Sequence, residues 1–161
     1  MAGALAQAGR WVDARAVAVT IADPFRRAWA LREVAGALVR AGRWDDARAV
    51  AETIADPFWR AEALGDVAGA LAAAGQWEEA RAVAEVIADP EQRAWALQAV
   101  ADVLAQAGRW DDARAVAETI AYPRERAEAL GEVAGALAAA GQWEEAQRDR
   151  KSTRLNSSHL A

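Results

Sequence analysis

The chain has 161 residues, roughly three in ten of them Ala, with 54% apolar, 27% charged and a formal net charge of −5. That much Ala excludes a thick, aromatic-filled core, and no apolar run approaches the ~18 residues of a membrane span, so an ordered, soluble chain without a membrane partner is expected. Cys is absent, which excludes disulfides, thiolate nucleophiles and zinc–thiolate clusters.

Residue types divide the chain at Arg148. All three Ser of the chain (Ser152, Ser157, Ser158), the only Lys (Lys151), the only Asn (Asn156) and the only His (His159) lie beyond it. With one Asp against two Arg and one Lys, residues 149–161 carry +2, which leaves −7 for residues 1–148. The lack of Lys and Asn in an Ala-, Arg- and Gly-rich body fits a GC-rich coding sequence of bacterial type.

Within residues 1–148 two markers recur. Ala-Gly-(Arg/Gln)-Trp begins at Ala8, Ala41, Ala74, Ala107 and Ala140, a period of 33 residues, and brings Trp11, Trp44, Trp77, Trp110 and Trp143 into register. Asp-Pro falls at Asp23-Pro24, Asp56-Pro57 and Asp89-Pro90, and becomes Tyr122-Pro123 at the fourth occurrence. Two markers per unit predict two helices per unit in a repeat stack.

A partial repeat, 1–22, comes first and opens in mid-helix because Met1 aligns with Val34, and the chain is therefore expected to be an internal fragment of a longer array. In the first full unit, 23–55, Asp23 is a good N-cap and Pro24 occupies the first helical position without losing a hydrogen bond. Leu31, Val34, Ala35 and Leu38 then fall at i, i+3, i+4 and i+7 along one helical stripe. Gly42 closes the helix in the left-handed conformation. A second helix is predicted from Trp44, burying Trp44, Ala47, Ala51 and Ile54.

Units 56–88 and 89–121 repeat the pattern, with Leu64 and Leu97 on their first helices. Their second helices carry Trp77, Ala80, Ala84 and Ile87, then Trp110, Ala113, Ala117 and Ile120. The incomplete unit 122–148 keeps Leu130 and Trp143, but Tyr122 offers no capping carboxylate, which marks this junction as the weakest. All five marker Trp are expected in the core. A longer period of 66 lies over the 33: Gly65–Ala80 and Gly131–Ala146 differ only at Asp66 versus Glu132. The predicted fold is all-α, a right-handed α-solenoid of antiparallel helix hairpins stabilised by stacking of neighbours through small side chains.

After Ala146 the pattern breaks, because Gln147-Arg148-Asp149-Arg150 places charge where the buried stripe should run. The segment Asp149–His159 resembles the in-frame translation of a sequencing-library adapter. Residues 149–161 are therefore expected to be a disordered tail foreign to the array.

Val34-Ala35, Leu38, Gly42, Trp44, Ala47 and Pro57 reproduce the order of small, large, Gly, aromatic, Ala and Pro positions of a helical repeat family. Residues 1–148 thus resemble a tetratricopeptide-type repeat array, with a unit of 33 rather than 34 residues and with Leu31 and Ala51 where bulky aromatics are usual. The resemblance implies a ligand face on the first helices. It falls at Trp29, Arg32, Gly36, Val39 and Arg40, then at Glu62, Gly65, Gly69, Ala72 and Ala73. The later units contribute Trp95, Gln98, Asp102, Ala105 and Gln106, then Glu128, Gly131, Gly135, Ala138 and Ala139. Trp29 and Trp95 are expected to be aromatic anchors separated by a Gly/Ala floor.

Chemistry is sparse. Residues 1–148 contain no His, Cys, Ser or Lys, so the usual nucleophiles and the commonest general base are missing, only carboxylates, Arg, Tyr122 and three Thr remain, and neither catalysis nor a metal or other cofactor is expected. Thr20, Thr53 and Thr119 share one repeat position with Val86, which points to a helix surface. The acid pairs Asp45-Asp46, Glu78-Glu79, Asp111-Asp112 and Glu144-Glu145 sit in the first turn of the second helices, where each gains ~0.3–1 kcal/mol from the helix dipole. Arg27, Arg60, Arg93 and Arg126 are expected to bridge to acids of a neighbouring turn.

Trp29 and Trp95 alternate with Glu62 and Glu128, and Trp59 stands where Arg26, Gln92 and Glu125 stand; both positions are expected to face solvent. These features predict a cytoplasmic protein-interaction scaffold that binds a peptide or partner domain and self-associates through uncapped ends. The alternative is single-stranded RNA binding of the pentatricopeptide kind, which a body charge of −7 opposes, so no nucleic-acid partner is expected.

Overall fold

The computed structural model describes residues 1–159, without the side chains of residues 145, 146, 156 and 159. Residues 160 and 161 of the tail lie outside the described residues. The described chain forms nine helices and no strand: α1 (Ala2–Gln7), α2 (Trp11–Val19), α3 (Pro24–Arg40), α4 (Trp44–Glu52), α5 (Pro57–Ala73), α6 (Trp77–Glu85), α7 (Pro90–Gln106), α8 (Trp110–Glu118) and α9 (Pro123–His159). Each full unit pairs a 17-residue first helix with a 9-residue second helix.

Local sequence accounts for most boundaries. The carboxylates of Asp23, Asp56 and Asp89 accept the amide hydrogens of Arg26, Trp59 and Gln92 at 2.7, 3.0 and 2.8 Å, with Pro at the first helical position in each case. At the fourth junction the backbone carbonyl of Tyr122 accepts from Arg126 N–H at 2.9 Å, and no side-chain cap is formed among the described residues. The first helices close in paired hydrogen bonds, Gly42 N–H to Val39 O at 3.0 Å and Arg43 N–H to Leu38 O at 2.9 Å, with equivalents at Gly75 and Gly108. This closure places the glycine at positive φ, between 72 and 81° for Gly9, Gly42, Gly75 and Gly108.

The second helices begin without a side-chain cap. Instead, the residue before the marker Trp reaches forward to an acid: Arg10–Asp13 at 2.8 Å, Arg43–Asp46 at 2.6 Å and Arg109–Asp112 at 2.5 Å. The same Arg supports the 66-residue period, because Arg43 lies over the Trp11 ring at 4.5 Å and Arg109 over Trp77 at 3.7 Å. Gln76 occupies the intervening place, where no such stack forms among the described residues.

Helix packing follows chain order. Each of α3, α5 and α7 touches its own second helix, the preceding second helix and the first helices on both sides. The predicted stripe Leu31, Val34, Ala35 and Leu38 is buried, and so are Ala28, Ala30 and Ala37, because a first helix has several neighbours to face. On α4 the expected Ala47 and Ala51 are buried with Val50, and Ile54 is buried just beyond the helix end. The marker residues Trp11, Trp44, Trp77 and Trp110 are half-buried rather than core, since each indole lies against its turn glycine at the edge of the stack.

The last unit departs from expectation. Ala140-Gly141-Gln142-Trp143 does not turn; α9 runs straight for 37 residues and leaves Trp143 60% exposed instead of in the core. Leu137, whose counterparts Leu38, Leu71 and Leu104 are buried, is 45% exposed. The cause lies further along the chain. Asp149, Arg150 and Thr153 stand where Val83, Ala84 and Ile87 are buried, so a folded-back helix would bury charge without partners. Extension of an existing helix adds one hydrogen bond per residue and needs no such burial. Residues 149–159, expected to be disordered, accordingly continue α9, and none of their described side chains is buried.

This difference generates a paired test. Gly75→Ala should cost ~1–2 kcal/mol, because Gly75 needs positive φ. Gly141→Ala, at a helical position with nothing within 4 Å of the added methyl, should raise helicity without lowering the melting temperature. Thermal unfolding followed by circular dichroism reads both, and equal losses in the two variants would show that the turn at Gly141 forms.

Candidate partner-binding face

Stacking of the first helices brings one repeat position into a row: Trp29 on α3, Glu62 on α5, Trp95 on α7 and Glu128 on α9. Trp29 is 55% and Trp95 48% exposed, as the exchange of Trp for Glu predicts. Each indole borders a groove. Glu62, Gly65 and Asp66 of α5 face Gln92, Trp95 and Ala99 of α7 across a shallow groove of about 180 Å³. Arg26, Trp29, Ala30 and Glu33 of α3, the counterparts of Gln92, Trp95, Ala96 and Ala99, line another of about 480 Å³ with Met1, Ala2, Gly3 and Ile21. The Trp-bearing wall therefore recurs one 66-residue period apart, while the facing walls differ: Met1, Ala2, Gly3 and Ile21 in one groove, Ala61, Glu62, Gly65 and Asp66 in the other.

Two candidate residues engage each other. The Arg32 guanidinium reaches Asp66 Oδ2 at 3.1 Å and Glu62 Oε2 at 3.5 Å, and lies 5.6 Å from the Trp59 ring. All three groups are partly exposed, and such pairs are worth ~1 kcal/mol or less, so the bridge aligns α3 with α5 more than it stabilises them. Trp59 is not the surface residue expected. It is half-buried, with its ring edge-to-face against Phe25 at 5.4 Å and Phe58 at 5.3 Å. Phe25 and Phe58 give way to Glu91 and Arg124 in the later units, as Trp59 gives way to Gln92 and Glu125, and that joint exchange was the sequence signal of contact.

The remaining candidates divide by burial. Arg40, Ala73, Gln106 and Glu128 are exposed, and Val39, Gly36, Gly65, Gly69, Gln98 and Asp102 are half-buried. Ala72 and Ala105, expected on the ligand face, are buried, because the last turn of each first helix folds under its own hairpin. Gly131, Gly135, Ala138 and Ala139 are exposed, since no first helix packs beyond α9 among the described residues. Local pairs occupy two of the polar groups: Gln106 Nε2 donates to Asp102 at 3.5 Å, and Arg124 meets Glu128 at 3.1 Å.

Among the described residues, Arg27, Arg60, Arg93 and Arg126 do not bridge to acids. Their guanidiniums donate to the carbonyls of Ile21, Ile54, Ile87 and Ile120 at 2.9, 3.0, 3.1 and 3.3 Å. These carbonyls lie in the turn just past each second helix, where the helical ladder has ended, and a cation there also meets the negative end of the dipole. The constant six-residue step from Ile to Arg carried this signal. Asp45-Asp46, Glu78-Glu79 and Asp111-Asp112 do fall in the first turns of α4, α6 and α8, whereas Glu144-Glu145, expected at such a start, lie within α9 because the chain does not turn there. Thr20, Thr53 and Thr119 donate to the carbonyls of Val17, Val50 and Val116 at 2.6–2.7 Å. Arg93→Met, which keeps the aliphatic stem but leaves the Ile87 carbonyl without its donor, should lower stability by ~1–3 kcal/mol in urea unfolding. An unchanged midpoint would assign the guanidinium no structural role.

Among the described residues, no group of three or more His, Asp or Glu is placed to hold a metal ion, and no helix is long and apolar enough to cross a membrane. Comparison of the chain with protein-family models, curated proteins and solved structures finds no match, which leaves the geometry of this face as the basis for a functional reading.

Proposed function

We propose that residues 1–148 form a tetratricopeptide-like, right-handed superhelix that serves as a protein-interaction scaffold, taking an extended peptide or a partner's loop across the first helices. The observation that carries this reading is the pair of half-exposed indoles, Trp29 and Trp95, each bordering a groove at the same repeat position. An aromatic side chain buries 150–250 Å², so covering the exposed half of one indole removes about 100 Å² from water and yields ~2–3 kcal/mol. Two such anchors give a peptide most of the affinity that interface hot spots supply. The row alternates Trp with Glu, and phosphate would meet those acids, which favours a peptide over RNA.

A random dodecapeptide library selected on the intact chain tests the reading. Enriched peptides should bind Trp29→Ala or Trp95→Ala at least ~30-fold more weakly, the equivalent of ~2 kcal/mol at a hot-spot Trp, with helicity unchanged. A library that yields no enriched sequence, or variants that lose melting temperature while retaining affinity, would contradict it.

A further inference from the structure

The α3–α5 junction shows how this face treats a cation. Arg32 projects from α3 onto Glu62 and Asp66, with the Trp59 ring 5.6 Å from its guanidinium. One unit further, at the α5–α7 groove, the place of Arg32 is taken by Gly65. A Cβ built there meets nothing within 4 Å, so no side chain covers this wall of the groove at Gly65. Glu62 and Asp66 of α5 flank the opening, and Trp95 of α7 supplies an aromatic wall.

The two carboxylates retain capacity. Arg32 uses Oε2 of Glu62 and Oδ2 of Asp66, while Oε1 and Oδ1 accept no hydrogen bond from any described residue. One guanidinium against two carboxylates leaves a net negative charge at the groove, and an ionised carboxylate can accept at both oxygens.

Resting on the scaffold reading above, we propose that the α5–α7 groove binds an Arg side chain of an extended partner peptide. The guanidinium stacks on Trp95 of α7 and donates to the free oxygens of Glu62 and Asp66 on the facing α5 wall. A planar guanidinium suits this site better than an ammonium, because it stacks on an indole while its N–H fork meets carboxylates. The charge of the groove and the vacancy at Gly65 together define the occupant.

The test uses a capped, fluorescein-labelled (Arg-Ala)6 peptide against the full chain by fluorescence anisotropy, with (Gln-Ala)6 as the neutral control. The Arg peptide should bind at least 10-fold more tightly than the Gln peptide. Trp95→Ala and the double variant Glu62→Gln/Asp66→Asn should each remove most of that preference. Asp45→Asn/Glu78→Gln, an equal charge change on the second helices, should preserve it. Gly65→Arg fills the groove with the chain's own guanidinium and replaces a helical Gly with a better helix former; it should fold and lose peptide binding at least 10-fold. Equal loss in the second-helix control, or undiminished binding to Gly65→Arg, would overturn the proposal by showing general charge attraction. Equal affinity for both peptides, with Trp95→Ala weakening both, would overturn it too while leaving the scaffold reading intact.

Discussion

Everything in this molecule depends on the close contact of Ala-lined helices with their neighbours. The fully buried Ala positions repeat as Ala14 and Ala18, Ala47 and Ala51, Ala80 and Ala84, Ala113 and Ala117, joined in each full unit by two buried Leu, two buried Val and one buried Ile. A methyl buries little area, so one hairpin gains too little hydrophobic free energy to offset the conformational entropy of ordering it. Only when the next hairpin packs against it is the balance favourable. The first helices are the continuous part of that stack, and the short second helices are wedged between successive first helices.

Features set within a few residues were legible in the sequence. The Asp-Pro starts, the left-handed glycines, the Leu31–Leu38 stripe and the exposure of Trp29 and Trp95 each follow from local spacing or from exchanges at one repeat position. Features set by distant contacts were not. Trp59 is held against Phe25 of the preceding first helix, a contact between units. The fifth turn is the clearest case. Gly75-Gln76-Trp77-Glu78-Glu79 and Gly141-Gln142-Trp143-Glu144-Glu145 are identical, yet the first turns and the second continues a helix. The deciding information lies in the residues after Ala146, which either provide an apolar stripe to fold back or do not.

The same separation of local from non-local governs the candidate face. Position 29 and its repeats alternate between Trp and Glu without disturbing the stack, because they lie outside the Ala contacts that hold it. The Arg32 bridge shows that the face can recruit charge between units, and one unit on, Gly65, Trp95 and Ala99 stand in the places of Arg32, Glu62 and Asp66. Variation is tolerated where the helices do not touch, and on that surface the chain has kept two indoles in water.

Native-state hydrogen exchange of the backbone amides tests the central claim most directly. If stacking on neighbours supplies the stability, α5, whose neighbours α3 and α7 are themselves packed on both sides, should be the most protected. Protection should fall through α3 toward α1, and the part of α9 beyond Trp143 should exchange like an isolated helix. Uniform protection from α1 to the end of α9 would instead reveal one indivisible core, and would contradict the account.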